Sequence, residues 1–351
     1  MSYKTQSNCL KFSSLLLLLL FLQPAFSQYN FGAVDELLAK NKKLLGGDVI
    51  TRIYKDGKLI YNNQTNKEFT GKTQAPIANS SQWLTAALTM IYVNEGKISL
   101  DDPVTKYIPI FTSYSKRYIT IRQCLSHTTG IHAEAPGLKA VLQNKKYSTL
   151  EDEATGIAKK EIERNPGEIF FYSDIGLDIV GRILEIVSKK TFDRIIAERL
   201  LRPLKMRQTS FYVDYDKAVN PSAGAVSTAN DYMNFLSMIL NKGMFEGKRI
   251  LSEKSIAEMQ KIQTGNAAIK YQPALTLGYG YGLGVWIREK DAAGAGTVIT
   301  NPGIYGTYPL VDFCRGYACL LFVRTLQNEQ KKELYDSLVD AINQQLSSNC
   351  Q

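Results

Sequence analysis

The chain has 351 residues, of which 44% are hydrophobic and 21% charged. This composition is typical of a globular protein and excludes a disordered or fibrous chain, and the length excludes a small disulfide-stapled scaffold. The formal charge is +9, but no basic run alternates with aromatic residues as a nucleic-acid groove would. Two histidines and five cysteines without a C-x-x-C pair exclude a histidine-rich metal site and a zinc ribbon. We therefore expect no metal, no cofactor and no nucleic-acid partner.

The first 27 residues have the features of a signal peptide. Lys4 and Lys11 are followed by a short apolar run, residues 14–22, and then by Ala25-Phe26-Ser27, which suits cleavage before Gln28. The run is about half of the roughly 20 residues that a membrane-spanning helix needs. We predict an exported protein, periplasmic or secreted, without a transmembrane segment once the signal is removed. An uncleaved anchor is the alternative.

Export favours disulfide bonds among the cysteines of the mature chain. Residues 311–323 predict a β-hairpin with a tight turn at Gly316-Tyr317. In that register Cys314 and Cys319 face each other closely enough to bridge. We predict this disulfide, with free thiols as the alternative.

The N-terminal part of the mature chain predicts a helix and then a hairpin. Helical periodicity runs from Phe31 to Leu45, and residues 47–63 form two β-rich runs around Lys55-Asp56-Gly57. From Asn79 to Asn94 the chain is apolar almost all round, which predicts a helix buried in the middle of a domain.

Further helices and then strands are predicted towards the C-terminus. Helices start at Ser173, Thr228 and Ser252, and another ends before Pro203. The later pattern predicts strands at residues 279–287, 297–300, 306–314 and 317–323. A last helix is predicted at residues 327–346.

Strands at both ends of the chain enclose a helical block. The simplest arrangement is an antiparallel sheet built from both ends and flanked by helices, with the block as an all-helical domain, an α/β (α+β) fold. We predict a sheet domain from residues 28–78 and 225–351 and a helical domain from residues 79–224. A cleft is expected near these boundaries.

Five strings near the boundaries stand out in order and spacing: NEGKISLDDPVTKYIP (94–109), TIRQCLSHTTGI (120–131), NPGEIFFYSDIGLDIVGRILEIVSKKTF (165–192), AGAVSTANDYMNFL (223–236) and YGYGLGVW (279–286). Together they resemble the serine β-lactamase-related family, which includes class C β-lactamases, penicillin-binding-protein-like carboxypeptidases and esterases. The likeness covers nearly all of the mature chain. It implies a β-lactamase/transpeptidase-like fold.

Enzymes of that family use an S-x-x-K motif at the start of the buried helix, where the spacing puts lysine beside the serine nucleophile. A Y-x-N element supplies a second acid/base group, and a K-T-G or H-x-G strand forms the opposite wall. In this chain the nucleophile position is occupied by Asn79 and the base position by Gln82.

The other two motifs are partly kept. The resemblance places the Y-x-N element at Tyr172-Ser173-Asp174, which retains the tyrosine, and the wall at Asn301-Pro302-Gly303, which retains the glycine. It also places the two oxyanion-hole amides at Asn79 and Ile304.

These replacements remove the chemistry of acyl transfer. Asn79 has no hydroxyl to form an acyl-enzyme, and neutral Gln82 is no general base. Losing a nucleophile and its base costs on the order of 10⁶ in rate. We predict a catalytically degenerate member that keeps the cleft and binds a cell-wall-type ligand, a peptide or a partner protein. The alternative is an active serine hydrolase that uses Ser80 with Tyr172 on a β-lactam, a D-amino-acid peptide or an ester.

Structural roles are alternatives at several of these positions. Asn79 is a good N-cap residue, and Asp174 could cap the next helix. Gly303 would let its strand pass close to the helix start. We expect neither a catalytic nor a metal-binding role for His127.

Overall fold

The computed structural model describes residues 29–134, 147–211, 217–326 and 331–350. The predicted signal peptide lies outside these ranges. From Phe31 onward the chain forms one compact unit. Among the described residues, no helix has both the length and the apolar character needed to cross a bilayer.

The helices follow the predicted order, with shorter ends than the sequence suggested. The α-helices are α1 Gly32–Lys40, α2 Ser81–Asn94, α3 Ile121–Leu125, α4 Leu150–Lys159, α5 Ile175–Ser188, α6 Phe192–Ile196, α7 Ala229–Leu240, α8 Glu253–Met259 and α9 Lys332–Asn343. Short 3-10 turns span Ala78–Ser80, Val104–Lys106, Pro109–Tyr114 and Ala274–Thr276, and a π-helical turn spans Ala197–Leu201.

The strands form one large sheet and three small ones. They are β1 Val49–Lys55, β2 Lys58–Gln64, β3 Ala75–Pro76, β4 Ile169–Phe171, β5 Ser210–Phe211, β6 Ala225–Ser227, β7 Met244–Phe245, β8 Lys248–Arg249, β9 Ala268–Tyr271, β10 Gly280–Tyr281, β11 Trp286–Lys290, β12 Gly296–Thr300, β13 Tyr308–Asp312 and β14 Tyr317–Val323. The large sheet has seven antiparallel strands in the order β10-β11-β12-β13-β14-β1-β2. Since β1 pairs with β14, the sheet joins both ends of the chain, as predicted.

Helix α2 occupies the middle of the molecule. Every residue from Ser81 to Tyr92 is buried, and Trp83 packs edge-on against Phe235 of α7 with ring centroids 5.5 Å apart. The prediction of a buried helix here is confirmed. Its proposed N-cap is wrong, because Asn79 lies inside the preceding 3-10 turn and Ser80 is the residue before α2.

The predicted strand at residues 279–287 is interrupted. It forms β10 and β11, joined by a tight turn in which the amide of Gly282 donates to the carbonyl of Val285 at 2.9 Å. A Cβ atom on Gly284 would lie 2.4 Å from the Cβ of Ala86. This turn therefore packs directly on α2, which leaves no room for a side chain at that point.

The predicted Cys314–Cys319 disulfide is wrong. In the observed hairpin Asp312 pairs with Tyr317, so Cys319 lies opposite Leu310 and Cys314 lies in the connecting turn. The Asp312 carboxylate accepts a hydrogen bond from the amide of Arg315, which closes the turn two residues earlier than predicted. Cys314 instead bonds to Cys350 near the C-terminus, and Cys319 is a free buried thiol.

Replacing Cys350 by serine is expected to lower the free energy of unfolding by about 3–4 kcal/mol, because the bridge closes a loop over a sequence separation of 36 residues. Chemical denaturation measures the loss, and alkylation of the unreduced, unfolded protein counts the thiols. Cys319→Ser is the matched control, since it keeps the bridge. A Cys350→Ser protein that still contained an intramolecular disulfide would contradict the assignment.

Candidate active site

The structure brings the motif positions together at the start of α2. The side-chain amide of Asn301, which follows β12, donates to the carbonyls of Asn79 and Gly284, each at 3.1 Å. The side chain of Asn79 hydrogen-bonds the hydroxyl of Tyr172, which follows β4. Gln82 lies in the first turn of α2. Residues from four separate parts of the sequence thus meet at one place.

Gln82 is fully buried, and both ends of its side-chain amide are hydrogen-bonded. Its Nε2 donates to Ser222 Oγ at 2.9 Å. Its Oε1 accepts from the hydroxyl of Tyr281 at 3.0 Å and lies 3.2 Å from His127 Nε2. The position that carries lysine in the related enzymes is therefore occupied by a neutral amide, which is fixed by hydrogen bonds at both Nε2 and Oε1.

Sequence reasoning missed Ser222, Tyr281 and His127 as partners of Gln82. His127 and Tyr281 lie inside strings that carried the resemblance, and Ser222 lies one residue before another of them. Those strings showed that the segments belong together. The contacts depend on how two turns and strand β10 pack over α2, which the spacing did not reveal.

His127 is buried beneath this site and uncharged. Its Nδ1 lies 3.5 Å from the amide of Ser173, an arrangement that assigns the proton to Nε2, which faces Gln82. Burial lowers the pKa of His127 from 6.5 to about 3. His127 helps to hold the Gln82 amide, which is a structural contact that the sequence did not predict.

The buried His127 should make the free energy of unfolding depend on pH. In the unfolded chain His127 takes up a proton below about pH 6.5, whereas in the folded protein it does so only near pH 3. The free energy of unfolding is therefore expected to fall as the pH falls from 6.5 towards 3. The loss between pH 7 and pH 4.5 should be about 2–3 kcal/mol from this residue. Urea denaturation across that range measures it. His127→Gln should flatten the pH dependence, because the new side chain does not titrate. A slope equal to that of the wild type would refute this account.

Tyr172 is buried among aromatic rings, with centroid distances of 4.7 Å to His127 and 5.1 Å to Trp286. Burial raises the pKa of its hydroxyl well above the usual value, and the Asp174 carboxylate raises that pKa further. Hydrogen bonds from Trp286 and Asn79 act in the opposite direction without reversing the shift. The phenol is therefore protonated at neutral pH and cannot act as a base.

Ser80, the alternative nucleophile, uses its hydroxyl in a hydrogen bond within the fold. Ser80 is fully buried, and its hydroxyl donates to the carbonyl of Asn301 at 2.7 Å. The next hydroxyl, on Ser81, accepts a hydrogen bond from the amide of Ala225 at 3.1 Å. The two serines thus tie the start of α2 to the segment that follows β12 and to β6.

Gly303 lies where the wall passes closest to the helix start. A Cβ atom there would lie 2.2 Å from the carbonyl oxygen of Ile77 and 3.2 Å from Ser80 Oγ. The close approach expected from the sequence is present. It brings the turn after Gly303 next to Asn79.

The resemblance assigns an oxyanion hole to two backbone amides, those of Asn79, just before α2, and of Ile304, after Gly303. The amide of Gly306 donates to the carbonyl of Gly303 at 2.9 Å, which leaves Ile304 at the second position of a turn. Among the described residues, neither the amide of Ile304 nor that of Asn79 donates to a backbone carbonyl. Both residues are partly exposed. Such a pair of donors suits a carbonyl or carboxylate oxygen.

Asp174 does not cap α5 with its side chain, although it occupies the N-cap position. Its Oδ1 accepts a hydrogen bond from Ser222 Oγ at 2.7 Å. Because Ser222 also accepts from Gln82, the carboxylate is linked to Gln82 through one hydroxyl. Nowhere in the described part of the chain do three or more His, Cys, Asp or Glu residues form a group suited to a metal ion.

A family model described as Beta-lactamase matches residues 39–343, which is most of the chain. The chain belongs to the beta-lactamase family. Among solved structures of the family's fold, a beta-lactamase-like protein from Bacteroides dorei DSM 17855 superposes with a TM-score of 0.79 at 27% identity, covering 90% of this chain and 99% of that one.

Three further proteins are similar to this chain. Protein flp of Staphylococcus aureus (strain N315) is 30% identical over 182 residues, 49% of this chain and 36% of that protein. The match thus spans little more than a third of the staphylococcal protein. Protein Rv1367c of Mycobacterium tuberculosis is 25% identical over 296 residues, 67% of this chain and 73% of that protein. EstCE1, described as a hydrolase with promiscuous acyltransferase activity, shares the fold with a TM-score of 0.71 at 21% identity.

Proposed function

We propose that this protein is an exported, non-hydrolytic member of the beta-lactamase family that binds an acyl-containing ligand of the cell-wall or peptide type. The observation that carries the proposal is the environment of Gln82. A neutral amide, hydrogen-bonded to Ser222, Tyr281 and His127, stands where acyl transfer needs a base. Nothing at that position can take a proton from a nucleophile.

The contacts of Ser80 argue against the alternative of an active serine hydrolase. Its hydroxyl is buried and already donates to the Asn301 carbonyl, so attack on an acyl group would require that bond to break. Tyr172, its supposed partner, hydrogen-bonds Asn79 instead, and burial raises its pKa. The Ser80 hydroxyl is thus bonded to a backbone carbonyl, whereas an active serine requires a base beside its hydroxyl.

The amides of Asn79 and Ile304 support a binding role. Two N–H groups need neither a nucleophile nor a base to hold one acyl oxygen. A ligand with a peptide or ester carbonyl matches this pair, which is why we favour a peptide or a cell-wall fragment over a sugar or a nucleotide.

The catalytic question is tested by exposing the purified protein to a fluorescent penicillin and to a fluorophosphonate and measuring the intact mass. We expect no covalent adduct. An adduct that Ser80→Ala abolishes would overturn the proposal in favour of the active hydrolase.

Binding is tested with an N-acetylated peptide that ends in D-alanyl-D-alanine carboxamide, by calorimetry. Ile304→Pro removes one N–H donor at a turn position that proline favours, and should weaken binding about tenfold. Ile304→Val keeps the N–H and is the matched control. If the two variants bound the peptide with equal affinity, the Ile304 amide would not take part in binding, and the proposed amide pair would be wrong.

A further inference from the structure

A cavity of about 350 Å³ lies at the opposite end of α2 from the candidate active site. The last turn of α2, the π-helical turn and the segment around β8 form its wall. This volume is within the range of pockets that hold small molecules, and short π-helical segments occur frequently at functional sites. The side chains that line it with charges or an amide are Asn94, Glu95, Glu198, Arg199 and Arg249.

Arg249 is fixed through one nitrogen of its guanidinium group. Nη1 donates to the carbonyl of Lys242 at 3.0 Å and to that of Leu251 at 3.2 Å. The pKa of Glu253 is lowered mainly by Lys242, its ion-pair partner at 2.9 Å, and less by Arg249. Within the described parts of the chain, Nε and Nη2 of Arg249 have no hydrogen-bond partner. That edge of a guanidinium can hold a carboxylate or a phosphate by two parallel hydrogen bonds.

Arg199 is fixed against the end of α2. It pairs with Glu95, which also pairs with Lys97 at 2.8 Å. The Arg199 guanidinium carbon and the Lys97 ammonium nitrogen lie 5.6 and 5.3 Å from the ring centroid of Tyr92. The last carbonyls of α2, which carry the negative end of its dipole, accept hydrogen bonds from the amides of residues 95–97. The single charge of Glu95 thus faces two cations.

Glu198, the second carboxylate of the cavity, is also shared by two cations. Lys190 lies 2.5 Å and Arg194 3.1 Å from its oxygens, and their hydrogen bonds lower the pKa of Glu198. Because each carboxylate is matched by two cations and Arg249 adds another, positive charge is in excess at this end of α2. A neighbouring cavity of about 240 Å³ shares Glu198 and Arg199 with the first. Such an excess attracts a small anion.

We propose that the larger cavity binds a small molecule through its carboxylate or phosphate group, which Arg249 holds at its Nε and Nη2 edge. Arg199 supplies a second positive charge in the same cavity. The side-chain amide of Asn94, which has no hydrogen bond to the described residues, supplies a further donor. This site is separate from the cleft and does not depend on the function proposed there.

Binding is measured by calorimetry at low ionic strength with two probes, inorganic phosphate and succinate. We expect a 1:1 complex with at least one of them, and the probe that binds more tightly identifies the group that the cavity prefers. Added salt should weaken binding, because it screens the attraction between the anion and the cations. A wild-type protein that binds neither probe at up to about 10 mM would overturn the proposal.

Arg249→Gln removes both the charge and the pair of parallel donors, and is expected to weaken binding at least about tenfold. Arg249→Lys keeps the charge without that pair, so its affinity should lie between those of Arg249→Gln and the wild type. Arg117→Gln is the matched control, since Arg117 is exposed and lines neither cavity, and it should bind as the wild type does. Thermal melting confirms that each variant is folded.

Two results would contradict the assignment to this cavity. If Arg249→Gln or Arg249→Lys bound the anion as tightly as the wild type, Arg249 would not hold it by paired hydrogen bonds. If Ile304→Pro abolished binding and Arg249→Gln did not, the anion would lie in the cleft. The function proposed for the cleft is tested with an uncharged peptide, so either proposal can fail without the other.

Discussion

Replacing Asn79 by serine and Gln82 by lysine is expected to give a protein that is slowly acylated by a penicillin or an activated ester, while the wild type is not. The two changes return a nucleophile and a base to one face of the helix start, next to Tyr172. We expect the adduct to form at least about 100-fold faster than any wild-type reaction, well short of the roughly 10⁶ that the intact machinery contributes.

The structure shows how a lysine at position 82 would be received. Ser222 and Tyr281 each offer a hydroxyl oxygen within reach, and Asp174 lies beyond Ser222 as a counter-charge. The proton on His127 Nε2 faces the same spot and would oppose the cation. We therefore expect a folded protein that is less stable by about 2–4 kcal/mol.

Asn301 is left unchanged in this variant. Its amide ties the carbonyls of Asn79 and Gly284 together, so a histidine there would release the helix start from the turn between β10 and β11. Asn79→Ser alone is the control and should remain unreactive because it lacks a base. Intact-mass kinetics measure the adduct, and thermal melting confirms the fold. A folded double variant without any adduct would mean that the cleft does not hold an acyl group in a reactive position.

Replacing Gly303 by alanine is expected to destabilise the protein by about 3 kcal/mol or more and to abolish ligand binding. The added Cβ would lie 2.2 Å from the Ile77 carbonyl oxygen, a backbone atom that cannot move aside alone. The turn after Gly303 would have to shift, and with it the amide of Ile304.

The matched control is Gly265→Ala, because a Cβ at that position meets no atom within 4 Å and the backbone there is not in the left-handed region. Its stability and its binding should equal those of the wild type. Chemical denaturation and calorimetry measure the two effects. A Gly303→Ala protein of wild-type stability would show that the wall is not held against the 3-10 turn.

Much of the fold was determined by local sequence signals. Apolar residues all round from Trp83 onward required a helix surrounded by other elements, and the structure buries it in that way. The sequence predicted a helix start at Thr228, and the side chain of this residue caps α7 by accepting from the amide of Asp231. Strand patterns at the two ends of the chain predicted a sheet made from both as the simplest arrangement, and β1 pairs with β14 in the structure.

The candidate site was only partly determined in this way. The sequence shows that Asn79 and Gln82 cannot carry out acyl transfer, because an amide has neither a nucleophilic hydroxyl nor a useful basicity. It could not show that His127 and Tyr281 hold Gln82, because those contacts join residues 45 and 199 positions away in sequence.

The tertiary structure alone decided which of several locally acceptable arrangements was adopted. Residues 311–323 fit either of two hairpin registers, and the Asp312–Arg315 contact and the Cys314–Cys350 bridge accompany the observed one. The hydroxyl of Ser80 could have faced the cleft or a strand, and the approach of Asn301 gave it a backbone carbonyl to bind. In both cases a contact between segments distant in sequence accompanies the observed arrangement, the Cys314–Cys350 bridge in one and the Ser80–Asn301 hydrogen bond in the other. Such contacts form only in the folded chain, so local sequence signals do not reveal them.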